Sequence, residues 1–346
     1  MVGLSGGVDS AVAASRLLKQ GYNVTGVFIK VWHPEWLKCN WEEERLDAMR
    51  VAAHLDIPFL TCDAEEAYRQ EVGEYFINEY IAGRTPNPDI MCNQHVKFGA
   101  FLKFAQDKGY DYVATGHYAR RVDTDNGSEL HRGLDPDKDQ SYFLWTLSKD
   151  QLAHVLFPVG DTIKDRVRAE AKEIGLPVAQ KKDSQGICFL GHIDIKEFLS
   201  HYTELKVGNV IDQMGAVIGR HDGALLYTIG QRHGFSISNT ESERKPYFVV
   251  AKDIKANTIT VSDARPELTT GDQMTLKSVV ARERVRPGQI IEAQVRYRQT
   301  PFRVRVIEVN NQSLSLSIVS GSDRPDLGQS CVLYDGTHCL LGGIIS

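Results

Sequence analysis

Residues 5–10 read Ser-Gly-Gly-Val-Asp-Ser, between a very short apolar run, Val2-Gly3-Leu4, and a stretch with helical spacing, Ser10–Gln20, that stops before Gly21. No other feature constrains the chain as strongly. Adjacent glycines let the backbone turn sharply, and N–H groups gathered at a helix N-terminus form a nest for phosphate. The turn is not a Walker A loop, because no Gly-Lys-Ser/Thr follows, and Gly-x-Gly-x-x-Gly cannot be read in it. The plain alternative is a glycine turn whose Ser or Asp caps the helix.

Strand-like and helical stretches then alternate: "NVTGVFIK", a helix over Trp41–Leu55 with Leu46, Met49, Ala52 and Ala53 on one side, "IPFLTC", and a helix over Glu65–Ile81. The loop "AGRTPNPDIMCNQH", a helix to Lys108 and the strand "YDYVATGH" follow. Such alternation predicts an α/β fold, a doubly wound parallel sheet with helices on both faces. Its ligands bind beyond the carboxyl ends of the strands. That puts Ser5–Ser10 and Gly116–His117 at the site, with Asn87–Cys92 in reach.

A length of 346 residues calls for more than one core. The reading is a first domain over 1–150, a small, mainly helical central domain over 151–207, and a C-terminal β-barrel over 208–346, where short alternating runs are broken by Gly, Asn and Asp turns. There is no run of ~18 apolar residues and no basic-then-apolar leader, so no membrane partner and a cytoplasmic location are expected. The six cysteines are scattered and form no Cys-x-x-Cys pair, which argues against a zinc ribbon; no resident metal is expected.

The net charge of −5 seems to argue against a nucleic-acid partner, but the charge is unevenly spread. Acids outnumber bases about three to one from Glu35 to Glu79, whereas residues 281–305 hold seven arginines against two glutamates. Local charge decides where a phosphate backbone docks. In "QVRYRQTPFRVRVIEV", strand alternation predicts Arg296 and Arg298 on one face, either a solvated barrel wall or a phosphate-contacting surface.

Two cysteines stand in Gly/Pro-rich loops instead of on apolar helix faces. In "RTPNPDIMCN", Pro86 and Pro88 stiffen a loop that can present Asp89 as a proton shuttle and Cys92 as a thiolate. In "KKDSQGICFLG", Lys181 and Lys182 would favour the thiolate of Cys188 if they fold near it. Cys39, Cys62, Cys331 and Cys339 read as packing.

The SGGxDS turn resembles the signature of the ATP-pyrophosphatase (PP-loop) superfamily, which cleaves ATP between its α- and β-phosphates to adenylate a substrate oxygen. With NPDIMC, DSQGIC, "ATGHYAR", "GLDPDKDQSYFL", "FPVG", "YTIGQRHG" and "RYRQTP", the chain resembles the tRNA-specific 2-thiouridylase (MnmA or TrmU) family from Val2 nearly to its end. The resemblance implies a PP-loop adenylation domain, a central tRNA-binding domain carrying Cys188, and a C-terminal barrel. It implies ATP, with Mg²⁺, held by Gly3, Leu4, Ser5, Gly6, Gly7, Val8, Asp9 and Ser10, together with Ile29 and Gly116. It implies tRNA for Lys, Glu or Gln as partner, with the wobble uridine flipped out and met by Asn87, Pro88 and Asp89. His117, Lys138, Asp139, Gln140, Arg296, Tyr297 and Gln329 match tRNA-touching positions.

The implied reaction is adenylation of the C2 carbonyl followed by sulfur transfer from a persulfide on Cys188. That persulfide is supplied by a donor protein, a cysteine desulfurase or sulfur-relay protein. Cys92 and Asp89 complete the catalytic set, and a transient Cys92–Cys188 disulfide closes the cycle. A persulfide is more acidic than a thiol and largely anionic at neutral pH, so it outcompetes water, and a second cysteine is needed to release its sulfur. A base must leave its stack to reach such a pocket, which is cheap in a single-stranded loop.

Overall fold

The computed structural model describes residues 1–37, 41–182, 194–238 and 246–346. Cys39 and Cys188 lie outside the described residues.

The first unit alternates strand and helix: β1 (Val2–Gly3), α1 (Val8–Lys19), β2 (Gly26–Lys30), α2 (Trp41–His54) and β3 (Phe59–Asp63). Next, α3 (Glu65–Tyr68) passes through a π-helical turn, Arg69–Glu74, into α4 (Tyr75–Ile81). A second continuous run joins α5 (Pro88–Met91), a π-helical segment, Cys92–Ala100, and α6 (Phe101–Asp107). Then come β4 (Val113–Ala114), the hairpin β5 (Ala119–Thr124) and β6 (Gly127–Arg132), α7 (Lys149–Ala153), β7 (Val155–Leu156) and α8 (Lys164–Glu173).

The parallel sheet runs β3-β2-β1-β4-β7. Chain order reverses between β1 and β4, and that switch point leaves a crevice between the loops that follow these two strands. One face of the sheet is covered by α1, α2 and α8, with Ala11, Val12, Ala48, Val51 and Val167 in the core. The other is covered by α3–α6, with Tyr68, Phe76, Ile90 and Phe98.

Helix α2 forms where its spacing predicts, but it buries Ala48, Val51 and Ala52 and leaves Leu46 44% and Met49 38% exposed. The reason is proximity to the glycine turn. A Cβ on Gly6 would come 2.7 Å from Glu44 O, so only small side chains fit under the helix.

The expected boundary at residue 150 falls inside this unit. β7 extends the first sheet, and Arg16 on α1 binds Glu170 on α8 at 2.8 Å. Helix α9 (Ile195–Ser200) places Phe198 against Phe76, ring centroids 5.8 Å apart. A two-residue strand carries too little pattern to announce itself in sequence.

The expected single β unit over 208–346 is two. β8 (Gly208–Ile211), β9 (Val217–His221), β10 (Phe235–Ile237), β11 (Phe248–Asp253) and β12 (Thr258–Ser262) form a five-stranded sheet in the order β10-β9-β8-β12-β11, around Val210, Val249 and Ile259. After β13 (Glu267–Leu268) come β14 (Gln273–Ala281), β15 (Ile290–Gln294), β16 (Phe302–Val309) and β17 (Ser313–Ile318), then β18 (Ser322–Asp323), β19 (Ser330–Asp335) and β20 (His338–Ile345). The series β14-β17-β16-β15-β19-β20 closes through a β14–β20 pairing into the C-terminal barrel, and β6 joins its outside at β20. No described helix is long and apolar enough to cross a membrane.

Candidate active site

The turn after β1 opens at the switch point. Gly6 adopts φ +70, a conformation that favours glycine. Gly7 is the N-cap of α1 and supplies no side-chain cap, so the helix does not begin with the Ser or Asp cap of the plain alternative. Instead Ser10 Oγ donates back to Gly7 O at 3.2 Å and accepts from Ser5 N at 3.3 Å, which fixes the curl of the turn. The loop after β4 presses against it: a Cβ on Gly116 would lie 2.6 Å from Ser10 N. An uncapped helix N-terminus flanked by a residue with no side chain is open to an anion.

Asp9, in the first turn of α1, faces two donors. Lys164 Nζ reaches both of its oxygens at 2.7 Å, and Tyr118 Oη donates to Oδ1 at 2.8 Å. Ser5, Asp9, Ser10 and Gly116 line a cleft of about 290 Å³, as do Gly3, Leu4 and Ile29.

Cys92 lines the same cleft, with Lys97, His117 and Gln140. It is 4% exposed and begins the π-helical segment directly after α5, where Asn87 caps the helix by accepting from Ile90 N at 3.3 Å. Pro88 at the first helical position needs no N–H partner there. Asp89 precedes Cys92 by three residues, about one helical turn. Burial pushes its carboxyl up, opposed by the charge of Lys97. His117 is held well below the ordinary histidine range by burial, and then by Lys97, so its ring is neutral. Its Nδ1 is paired with Thr115 Oγ1 at 2.8 Å.

A second cavity, about 120 Å³, is lined by Pro86, Asn87, Tyr142, Arg296, Tyr297 and Gln329. Loops some 200 residues apart in sequence meet here. Gln329 Oε1 is buried in it without a hydrogen-bond partner, an acceptor left open to a donor from a ligand.

Family models match nearly the whole length in sequence order: the tRNA methyl transferase HUP domain over residues 1–192, the tRNA methyl transferase PRC-barrel domain over 196–263, and the aminomethyltransferase beta-barrel domain over 272–345. Three similar proteins bear the name tRNA-specific 2-thiouridylase MnmA. That of Akkermansia muciniphila is 41% identical over 99% of this chain and 97% of its own length. That of Lysinibacillus sphaericus is 43% identical over 100% and 93%, and that of Bacillus velezensis 44% over 100% and 94%. The chain belongs to the tRNA-specific 2-thiouridylase family.

Of the tRNA-touching positions that the likeness to 2-thiouridylases implied, Asn87, Arg296, Tyr297 and Gln329 gather at the second cavity, and His117 and Gln140 at the first. Pro88 is buried at the start of α5, next to Asn87 in the chain. Lys138 sits half-buried in a turn closed by its N–H to Asp135 O at 3.1 Å. Asp139 points inward: its carboxylate accepts from Gly133 N, Ser141 N, Ser141 Oγ and Arg132 Nη1 at 2.9–3.1 Å. Cys188 lies outside the described residues. Lys181, which would favour the Cys188 thiolate if it folds near it, binds Asp47 at 2.8 Å.

The arginine-rich segment divides by role. Arg296 and Arg298 do not share a strand face, because β15 ends at Gln294. They sit in a turn that Gln299 Oε1 closes by accepting from Val295 N and Arg296 N, and Arg298 takes φ 61. Arg282 is buried and donates to the carbonyls of Cys339, Trp145 and Leu147. Arg303 and Arg305 alternate with buried neighbours on β16 and face outward.

Two cationic residues at the site, Lys97 and Lys164, carry no motif that marks them in the sequence. Lys97 lies five residues past Cys92, a spacing that puts two α-helical residues on different faces; only the π-helical winding of Cys92–Ala100 lets both line the cleft. Nothing local marks Lys164, which reaches Asp9 from α8.

Proposed function

We propose that the chain is an ATP-dependent tRNA-uridine 2-sulfurtransferase acting on the wobble uridine. What carries the reading is that Cys92 lines the same cleft as Ser5, Asp9 and Gly116. A nucleophile and a phosphate nest sharing one crevice suit activation of a substrate oxygen followed by its displacement.

The uncapped first turn of α1 suits the phosphates of ATP, and the apolar wall with Ile29 suits its base. Lys97 adds positive charge to the cleft, while the charge of Lys164 is paired with Asp9. Asp9 is the carboxylate that Mg²⁺ arriving with the nucleotide would meet. The second cavity suits a further contact to the tRNA loop, with the open acceptor of Gln329 toward an N–H donor and Arg296 among its lining residues. Arg303 and Arg305 offer sequence-blind contacts to phosphate.

The C2 oxygen attacks the α-phosphorus of ATP, the α–β phosphoanhydride bond breaks and diphosphate leaves, so that the oxygen becomes part of an AMP leaving group. The terminal sulfur of a Cys188 persulfide then attacks C2; a C–S bond forms and AMP departs with that oxygen. Asp89, whose raised carboxyl is the better base for it, takes the Cys92 thiol proton. The Cys92 thiolate attacks the Cys188 sulfur. The old S–S bond breaks with its electron pair on the transferred sulfur, leaving the 2-thio base and a Cys92–Cys188 disulfide that an external thiol reopens. A persulfide-carrying protein is therefore the second partner.

The test is mass spectrometry of tRNA incubated with the chain, ATP, Mg²⁺ and a persulfide donor. One sulfur-for-oxygen exchange at the wobble uridine, lost in Cys92→Ser and in Cys188→Ser, is expected. Turnover that survives both substitutions would point to ammonia or another acceptor instead, and retained tRNA without AMP formation to a binding protein.

A further inference from the structure

Outside both cavities, three ligand-capable side chains converge where the first unit meets the barrel. Glu129 and His131 lie two residues apart on β6 and so share a face. His338, the first residue of β20, is the direct cross-strand partner of His131. Their rings stack with centroids 4.9 Å apart and planes 13° from parallel. Glu129 Oε2 stands 3.0 Å from His131 Nε2 and 3.8 Å from His338 Nδ1. One ligand atom from each of the three residues falls within 4.8 Å of the other two.

We propose that Glu129, His131 and His338 form a site for a divalent transition metal of the Zn²⁺ class, clamping the β5–β6 hairpin to the C-terminal barrel. Bonds of ~2.0–2.1 Å in a tetrahedron set ligand atoms about 3.3 Å apart, and the distances from Glu129 bracket that value. Two imidazoles and a carboxylate are borderline ligands of the kind such ions prefer. His131 also has the supporting contact common to metal-bound imidazoles: its Nδ1 lies 3.0 Å from Thr337 Oγ1, which can accept the N–H once Nε2 is committed. The side chains are 16–20% exposed, which admits an ion and leaves water as the fourth ligand. The neighbouring charges of Glu283 and Arg282 offset one another.

The placement gives the site something to do. β6 meets β20 through the single register pair His131–His338, with one more backbone bond from Arg132 N to Thr337 O at 2.8 Å. An ion held from both strands would stiffen that seam. The inference is independent of the sulfur chemistry, since none of the three residues lines either cavity.

The experiment uses the full chain, stripped of metal and titrated with Co²⁺ as the spectroscopic probe, alongside His131→Gln, His338→Gln and Glu129→Gln. One equivalent should bind with the d–d bands of a tetrahedral N/O site and without thiolate charge transfer, which separates it from binding at cysteines. Each substitution should weaken that binding by at least about tenfold, and Zn²⁺ should raise the Tm of the unsubstituted chain but not of the variants. Absence of the N/O spectrum, or equal Co²⁺ affinity in all three variants, overturns the proposal. A variant with lowered metal-free Tm but unchanged Co²⁺ binding overturns it too, leaving a hydrogen-bonded cluster.

Discussion

Lys164 Nζ donates to both carboxylate oxygens of Asp9 at 2.7 Å, across 155 residues of chain. The lysine side chain is 8% exposed and the aspartate 30%. This contact fastens α8 to the first turn of α1 and sets the charge beside the phosphate nest. Lys164→Met should cost about 2 kcal/mol, less than a fully buried pair because Asp9 keeps contact with water. It should also raise KM for ATP. Urea unfolding and ATP kinetics check both; in the double variant with Asp9→Asn, the stability loss should be smaller than the sum of the two single losses.

Gly116→Ala tests the close approach of the two loops. The added Cβ would meet Ser10 N at 2.6 Å and Asp9 C at 2.8 Å, both backbone atoms that cannot swing aside. Overpacking of this kind costs about 1–3 kcal/mol, enough to raise KM for ATP roughly tenfold. tRNA binding measured without ATP should stay within twofold or so of the original. An unchanged KM would mean that the turn moves freely.

His117 should make the fold acid-sensitive. Its folded pKa lies well below the unfolded value of 6.5 because the ring is buried, so the unfolded chain takes up a proton that the native chain refuses. Stability from this group is complete above pH 6.5 and is lost progressively as pH falls below it. Between pH 7 and 5 the loss is at most about 2 kcal/mol. His117→Gln should remove that increment, seen as a shallower fall in unfolding free energy over the same range. Parallel falls for the two proteins would contradict it.

Arg282 looks like one more basic residue in an arginine-rich stretch, yet it is 5% exposed and bridges Cys339 O of the barrel to Trp145 O and Leu147 O of the first unit. Arg282→Met should cost about 3 kcal/mol, because three buried carbonyls lose donors, and should leave the salt dependence of tRNA binding unchanged. Arg303→Ala should do the reverse: near-normal stability and a salt slope reduced by about 1.

The first sheet and the phosphate turn were legible because each is built from neighbours, glycine placement and β-rich runs, whereas the loop expected over "AGRTPNPDIMCNQH" turns helical at Pro88, where Asn87 caps the helix and the proline needs no N–H partner. Helix α2 shows where such reading stops. Its periodicity fits two faces equally, and the one carrying Ala48, Val51 and Ala52 wins because the glycine turn lies beneath it. Arg296 and Arg298 show another limit: alternation suggested a strand, but Gln299 closes a turn there with two hydrogen bonds.

The amino-acid sequence by itself determined the order of the elements and the reactive groups on offer: a glycine turn before a helix, Asp89 and Cys92 behind two prolines, and arginines concentrated near the end. Only the tertiary structure decided which of them meet. Cys92 shares a cleft with Ser5, Asn87 shares a cavity with Gln329, Lys164 neutralises Asp9 and Arg282 turns inward. Helix and strand patterns reflect contacts within a few residues. These meetings follow from the strand order of a sheet and the closure of a barrel, which bring together groups with no periodic relation in the chain.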